Sequence, residues 1–226
     1  YVRAYASNES WTVYGEQVTF RTKLADIEGN LYNTVLIGTK LWMAENLRTT
    51  KLNDNSQIQN ITDDALWVAT ANPAYCWYNN DISFKPTYGA LYNWFTAASG
   101  NLCPTGWHVP TDDELNALEI SLGMSSDQTG VWGWRGIDHG LKMKNQTGWD
   151  ENGNGTNSSG FSALPGGYRF GGDGKFFLEK TITYWWSSTE HDADRGWYRR
   201  LDSTSDQVYR ASTSKKGGKY IRCVKD

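Results

Sequence analysis

No apolar run in this chain of 226 residues reaches the ~18 needed to span a bilayer, so no transmembrane helix is expected. His-Glu-x-x-His, Cys-x-x-Cys and Gly-x-Ser-x-Gly are all absent, which leaves zinc and serine-hydrolase readings without support. The net charge of −3 is too small for a global field that draws in nucleic acid or an anionic membrane. Proline (5), cysteine (3) and histidine (3) are all sparse. No signal peptide opens the chain at Tyr1, and the sequence reads as an excised part of a longer protein.

What is present is aromatic and flexible: 12 Trp, 13 Tyr and 23 Gly. Such a loop-rich mix suits an extracellular binding module better than a bundle of aliphatic helices. Charge is uneven. Residues 186–226 hold nine Lys/Arg against six Asp/Glu, a net of +3, and the remainder holds 13 against 19, a net of −6. Both signs interleave in the basic part, as on a solvated face rather than a nucleic-acid stripe. Of Cys76, Cys103 and Cys223, one pair plus a free thiol is the simplest reading, and a fully reduced chain stays open.

The pattern along the chain predicts an α+β protein. Residues 1–23 read as a β-hairpin, with Val2/Ala4 and Val18/Phe20 alternating around a polar turn at Asn8 to Ser10. Strands are expected at Leu31 to Ile37 and Lys40 to Met43, and a short helix at Asp63 to Thr70. Leu91, Trp94 and Phe95 fall on one helical face, predicting a helix over Leu91 to Ala98. Thr111 to Leu122 is the clearest helix, with Thr111 and Glu114 forming a capping box and Gly123 ending it. Short strands follow at Tyr184 to Ser187, Trp197 to Leu201, Gln207 to Arg210 and Lys219 to Val224. Two main helices and a mostly antiparallel, loop-rich sheet result.

Few residues carry recognisable chemistry. Asp150, Asn152 and Asn154 alternate like the first half of an EF-hand and form a candidate calcium loop. Position twelve would be Phe161, however, and Asx turns account for Asn-Gly-Asn-Gly as well. His108, in Gly-Trp-His-Val-Pro, reads as a structural histidine. Asp112, Asp113 and Glu114 fit a helix N-terminus, where the dipole favours them. Glu190 with Asp192 could mimic a glycosidase pair only with a convergence no sequence displays. No catalytic centre is expected, and no cofactor unless calcium.

Six strings add up in order: IGTKLWMAENLR (Ile37 to Arg48), YGALYNWFTA (Tyr88 to Ala97), CPTGWHVPTDDELNAL (Cys103 to Leu118), GFSALPGGYRF (Gly160 to Phe170), WWSSTE (Trp185 to Glu190) and IRCVKD (Ile221 to Asp226). Together they resemble the Fibrobacter succinogenes major paralogous domain family, from about residue 26 onward. The resemblance implies a C-type-lectin-like fold over residues 24–226 and a disulfide between Cys103 and Cys223. It also implies a place on secreted or surface proteins, behind immunoglobulin-like or fibronectin-like modules. The opening Tyr-Val-Arg-Ala-Tyr-Ala-Ser-Asn resembles the end of a fibronectin type III domain, so residues 1–23 read as its remnant.

Some lectin-like proteins are variable proteins of diversity-generating retroelements, in which adenine-directed mutagenesis rewrites Asn codons. Asn occurs 17 times up to Asn157 and never in the last 69 residues. Between Glu190 and Lys215 most residues are those reachable from an Asn codon by changing its adenines, Trp197 and Gln207 excepted. The expected function is therefore a non-catalytic display domain at the cell surface or on a virion, binding a protein or a glycan. Its face would be built from His191, Asp192, Asp194, Arg195, Trp197, Arg199, Asp202, Ser203, Ser205, Asp206, Tyr209, Ser212 and Thr213, with Trp197 and Tyr209 as anchors. A carbohydrate-binding module of a fibre-degrading system is the alternative. No nucleic-acid partner and no membrane insertion are expected.

Overall fold

The computed structural model describes residues 5–14 and 23–226. Early strands are β1 (Tyr5–Ser7), β2 (Thr12–Tyr14), β3 (Leu24–Ala25), β4 (Leu31–Tyr32), β5 (Thr34–Ile37), β6 (Lys40–Met43) and β7 (Gln59–Asn60). Then come α1 (Asp64–Ala69), β8 (Ala74–Cys76), α2 (Lys85–Tyr88), β9 (Leu91–Tyr92), α3 (Trp94–Ala97), β10 (Trp107–His108) and α4 (Asp112–Ser121). The second half holds β11 (Gly133–Arg135), α5 (His139–Met143), β12 (Gly166–Arg169), β13 (Phe176–Glu179) and β14 (Ile182–Glu190). It ends with β15 (Arg195–Asp202), β16 (Ser205–Ser214) and β17 (Val224–Lys225).

The main sheet has six strands in the order β11-β16-β15-β14-β12-β13. All its pairings are antiparallel except β12 against β14. A second, four-stranded sheet has the order β10-β17-β6-β5, so the last strand is inserted between early ones. The expected α+β class with mostly antiparallel strands is what the chain adopts. The described residues hold five short helices rather than two.

Leu91 to Ala98 departs from its helical periodicity. Leu91 and Tyr92 pair with β8, and Tyr92 exchanges two backbone hydrogen bonds with Lys219. The helix starts only at Trp94, where the Asn93 carboxamide accepts from the Thr96 backbone N–H at 3.1 Å. Tertiary pairing has overridden local pattern for the first half of the segment. The N-terminal hairpin is present, with Tyr5 opposite Tyr14 and Asn8 accepting from the Ser10 and Trp11 N–H groups. Val2, Ala4, Val18 and Phe20 lie outside the described residues.

Helix α4 follows its sequence signature. The Thr111 hydroxyl accepts from Glu114 N–H at 3.2 Å, and the Glu114 carboxylate accepts from Thr111 N–H at 2.9 Å. Leu115 and Leu118 are buried. Of the three acids at its start, Asp112 does more than complement the dipole. It is buried and accepts from Arg199 and Arg210, each at 2.6 Å, across the sheet. Glu119, two turns on, takes Arg199 Nε at 2.6 Å and also pairs with Arg135. Two carboxylates of α4 thus hold three guanidiniums from β15, β16 and β11. His108 is structural as expected: its ring bridges Glu114, at 2.9 Å, and Asp226, at 2.5 Å.

The disulfide joins Cys103 and Cys223, as the resemblance implied, across 120 residues of chain with Cα atoms 6.0 Å apart. In the chain-entropy model such a loop contributes about 4–5 kcal/mol. Cys76 is a buried free thiol, and burial pushes its pKa up to about 12.

Two predictions follow from this packing. Asp112→Asn leaves the buried Arg210 without a carboxylate and Arg199 with Glu119 alone, and should cost about 3–5 kcal/mol by denaturant unfolding. Burial opposes charge on Asp112, but Arg210 and Arg199 outweigh it and its pKa is lowered. Its contribution is therefore complete above the unfolded value near ~3.9 and is lost as pH falls through the lower folded value. Iodoacetamide, for its part, should leave Cys76 unmodified in the native protein and alkylate it in guanidinium, because the thiolate is the reactive form. Rapid labelling of the native state would contradict this burial.

Candidate ligand-binding face

Strand geometry sorts the residues expected to bind. Along β15 and β16 the register pairs Trp197 with Ser212, Arg199 with Arg210 and Arg200 with Tyr209. Directly opposed residues share a face and neighbours alternate. Trp197, Arg199, Arg210 and Ser212 therefore occupy the face toward α4, while Tyr198, Arg200, Tyr209 and Thr213 occupy the other. Trp197 and Tyr209 do not anchor one surface. The expectation of a single face is corrected here, because a period of two puts positions 197 and 209 on opposite sides.

Several expected residues serve the fold. Arg199 is buried in the α4 ion network. Asp202 is buried, pairs with Arg200 and accepts from the Thr204 N–H at 3.0 Å, shaping the β15–β16 turn. Ser203 is buried and donates to Glu151 at 3.0 Å. Ser205 and the exposed Asp206 sit at that same turn, away from the β14–β15 turn; the Ser205 backbone carbonyl accepts from the buried Lys144 Nζ at 3.0 Å, and the Asp206 carboxylate stands 3.7 Å from it. For Arg199, Asp202 and Ser203 the correction has one cause: polar type alone does not distinguish a solvated side chain from one with a buried partner.

The loop at Asp150 to Gly155 has a structural account. The Asn154 side-chain oxygen accepts from Trp149 N–H at 3.0 Å, so one of the three proposed calcium ligands already has a partner. Glu151 and Asn152 adopt the left-handed region, with φ of 56° and 59°. A Cβ on Gly153 would lie 2.4 Å from Ser203 Cα, so this glycine lets the loop press against the β15–β16 turn. Among the described residues no group of three or more His, Cys, Asp or Glu could hold a metal.

Five of the expected residues, His191, Asp192, Asp194, Arg195 and Trp197, do converge at the β14–β15 turn, whereas Tyr209 and Thr213 lie on the other face. Trp197 is half-buried, and its ring lies 4.9 Å from the His191 ring and 4.6 Å from the Trp132 ring, centroid to centroid. Trp132 is 50% exposed, which makes it the most accessible ring of the three. In the sequence Trp132 carries no signal beyond its place in the glycine-flanked run Gly-Val-Trp-Gly-Trp-Arg-Gly.

Beneath Trp197 the Arg210 guanidinium stands 3.7 Å from the ring centroid, itself fixed by Asp112. This cation–π support rigidifies the indole. Around the rim, Asp192 accepts from His191 at 2.9 Å and from Arg195 at 2.7 Å. The Arg195 contact, set against a small burial effect, holds its carboxyl far below the ordinary range. Asp194 and Arg195 are exposed. A rigid aromatic centre with an adaptable charged rim can bind a ligand by stacking and hydrogen bonding.

Residues 35–225 match the family model described as the Fibrobacter succinogenes major domain. No curated protein and no solved structure matches the chain.

Proposed function

We propose, from the premise that the chain belongs to the Fibrobacter succinogenes major domain family, that it is a non-catalytic ligand-binding domain displayed outside the cell. The observation that carries this reading is the exposed Trp132 against Trp197 and His191, held from below by Arg210. The disulfide supports an oxidising compartment, at a cell surface or on a virion. A C-type-lectin-like fold fits the late hairpins β14–β16, which carry the site while α4 and the disulfide hold the scaffold elsewhere. Residues 1–23 would be the end of a preceding fibronectin-like module.

The ligand is a protein or glycan on another cell. The exposed, planar Trp132 favours keeping the carbohydrate-binding reading, since indoles stack on sugar rings. In this proposal the gene region for the β14–β15 turn is rewritten by a retroelement. Asp192, Asp194 and Arg195 are free to change there, whereas Arg199 and Arg210 are fixed by Asp112.

A glycan array and a bacterial-surface protein screen, each with calcium or a chelator, identify the ligand class. Trp132→Ala should then weaken that binding at least tenfold while the melting temperature stays within about 2 °C, since the side chain is half-exposed. Undiminished binding by this variant would place the ligand elsewhere. Sequencing many copies of the locus should show substitutions clustered at codons 192, 194 and 195 and absent at 199 and 210. An even spread along the gene would dismiss diversification.

A further inference from the structure

On the opposite face of the main sheet a pocket of about 140 Å³ opens against β12, β14 and β15, with room for roughly four or five waters at ~30 Å³ each. Tyr168, Phe170, Tyr184 and Tyr198 wall it, Thr213 lies at one side, and Lys219 reaches in from the segment before β17. Lys219 is only 3% exposed. Its Nζ lies 4.5 Å from the Trp186 ring centroid, 4.7 Å from Tyr184, 5.0 Å from Tyr198 and 5.7 Å from Tyr168.

The rings face the charge but leave the three N–H donors without an acceptor. Among the described residues no carboxylate pairs with this ammonium and no oxygen accepts from it. Burial alone lowers its pKa, to about 7. Other buried cations of this fold are not left so: Arg169, Arg199 and Lys144 each donate to oxygens. The position is also rigid. Lys219 N–H donates to Tyr92 O at 3.0 Å, Tyr92 N–H donates back at 2.8 Å, and Gly218 is tied to Arg169 by two more bonds. A Cβ on Gly217 would stand 3.2 Å from Nζ, so glycine keeps that side of the ammonium open. The Thr213 hydroxyl has no hydrogen-bond partner among the described residues either.

An unpaired buried ammonium with free donors is completed by an anion, and tyrosine walls suit the flat side of a ring. We infer that this pocket is a second binding site, separate from the tryptophan cluster, for a small ring-bearing carboxylate. The carboxylate meets the Lys219 ammonium and the ring lies along Tyr168, Tyr184 and Tyr198. The other ionisable groups beside it are those three phenols, all with raised pKa and so neutral near pH 7, and Arg200 on the same face, 5.8 Å from the Tyr184 ring centroid and paired with Asp202; Arg169 lines the pocket but carries its guanidinium away to Ile61 and Gly174. Lys219 is thus the group that titrates there in the neutral range.

Binding of D-glucuronate, benzoate and D-glucose to the whole chain, by calorimetry and NMR shift mapping, tests this. At least one carboxylate should bind saturably, tenfold or more tightly than glucose, with shifts centred on Lys219 and Thr213. Whether glucuronate or benzoate wins tells a sugar acid from an aromatic acid. Affinity should fall severalfold from pH 6 to pH 8.5 as the amine loses its proton. Lys219→Met, which fills the ring cage with a side chain of similar length, should lose the binding, whereas Trp132→Ala should keep it. The inference fails if neither carboxylate binds, if glucose binds equally well, or if Lys219→Met still binds. A flat profile between pH 6 and 8.5 in the unaltered chain overturns it even if that variant does not fold.

Discussion

Asp112 is the residue on which the second half of the molecule depends. It opens α4, and its carboxylate reaches guanidiniums on two adjacent strands, Arg199 of β15 and Arg210 of β16. Its backbone N–H donates to Thr189 Oγ1 of β14 at 2.9 Å. One residue thus fixes the helix on three consecutive strands. Through Arg210 it also sets the platform under Trp197. Structural burial and presentation of the site are the same interaction seen from its two ends.

The unusual composition has a related cause. Arg169 is fully buried, lies 4.4 Å from the Trp67 ring centroid, and donates to Ile61 O at 2.6 Å and Gly174 O at 2.7 Å. Arg222 is buried 4.1 Å from the Phe161 ring centroid and donates to the Asn46 carboxamide at 2.9 Å. Cations in an interior need acceptors and polarisable faces, which carbonyls and aromatic rings supply together. A chain with short strands and long loops offers many carbonyls inside, and tryptophan and tyrosine fill the gaps that aliphatic side chains would fill elsewhere.

Local chemistry was legible wherever its partner lay close in sequence. The Thr111–Glu114 capping box, the β5–β6 hairpin and the Asp63-capped helix α1 were all readable, because each is closed within a few residues. The Cys103–Cys223 pairing came only through family resemblance, since 120 residues separate the two. Partners that distant were otherwise invisible. Nothing near Arg199 announces Asp112, so the arginine looked like any surface cation. Leu91 and Tyr92 looked helical because the strand β8 that claims them is contributed from upstream. The candidate site was half legible: His191, Asp192, Asp194, Arg195 and Trp197 do gather, but Tyr209 faces away and Trp132 arrives from a loop some sixty positions earlier.

Because β15 and β16 carry a helix-facing ion network on one side and tyrosines on the other, their tolerance of change has a definite grammar. Replacing one residue by another alters a single side chain. Inserting or deleting one residue inverts every position beyond it, turning Arg210 out of its ion pair and driving a neighbour toward α4. Exchange of residue types at fixed length therefore leaves the two faces intact, whereas a change in length is absorbed only in a turn or at a bulge such as the one between Arg200 and Asp202. The strand register is a reading frame for the protein's surface.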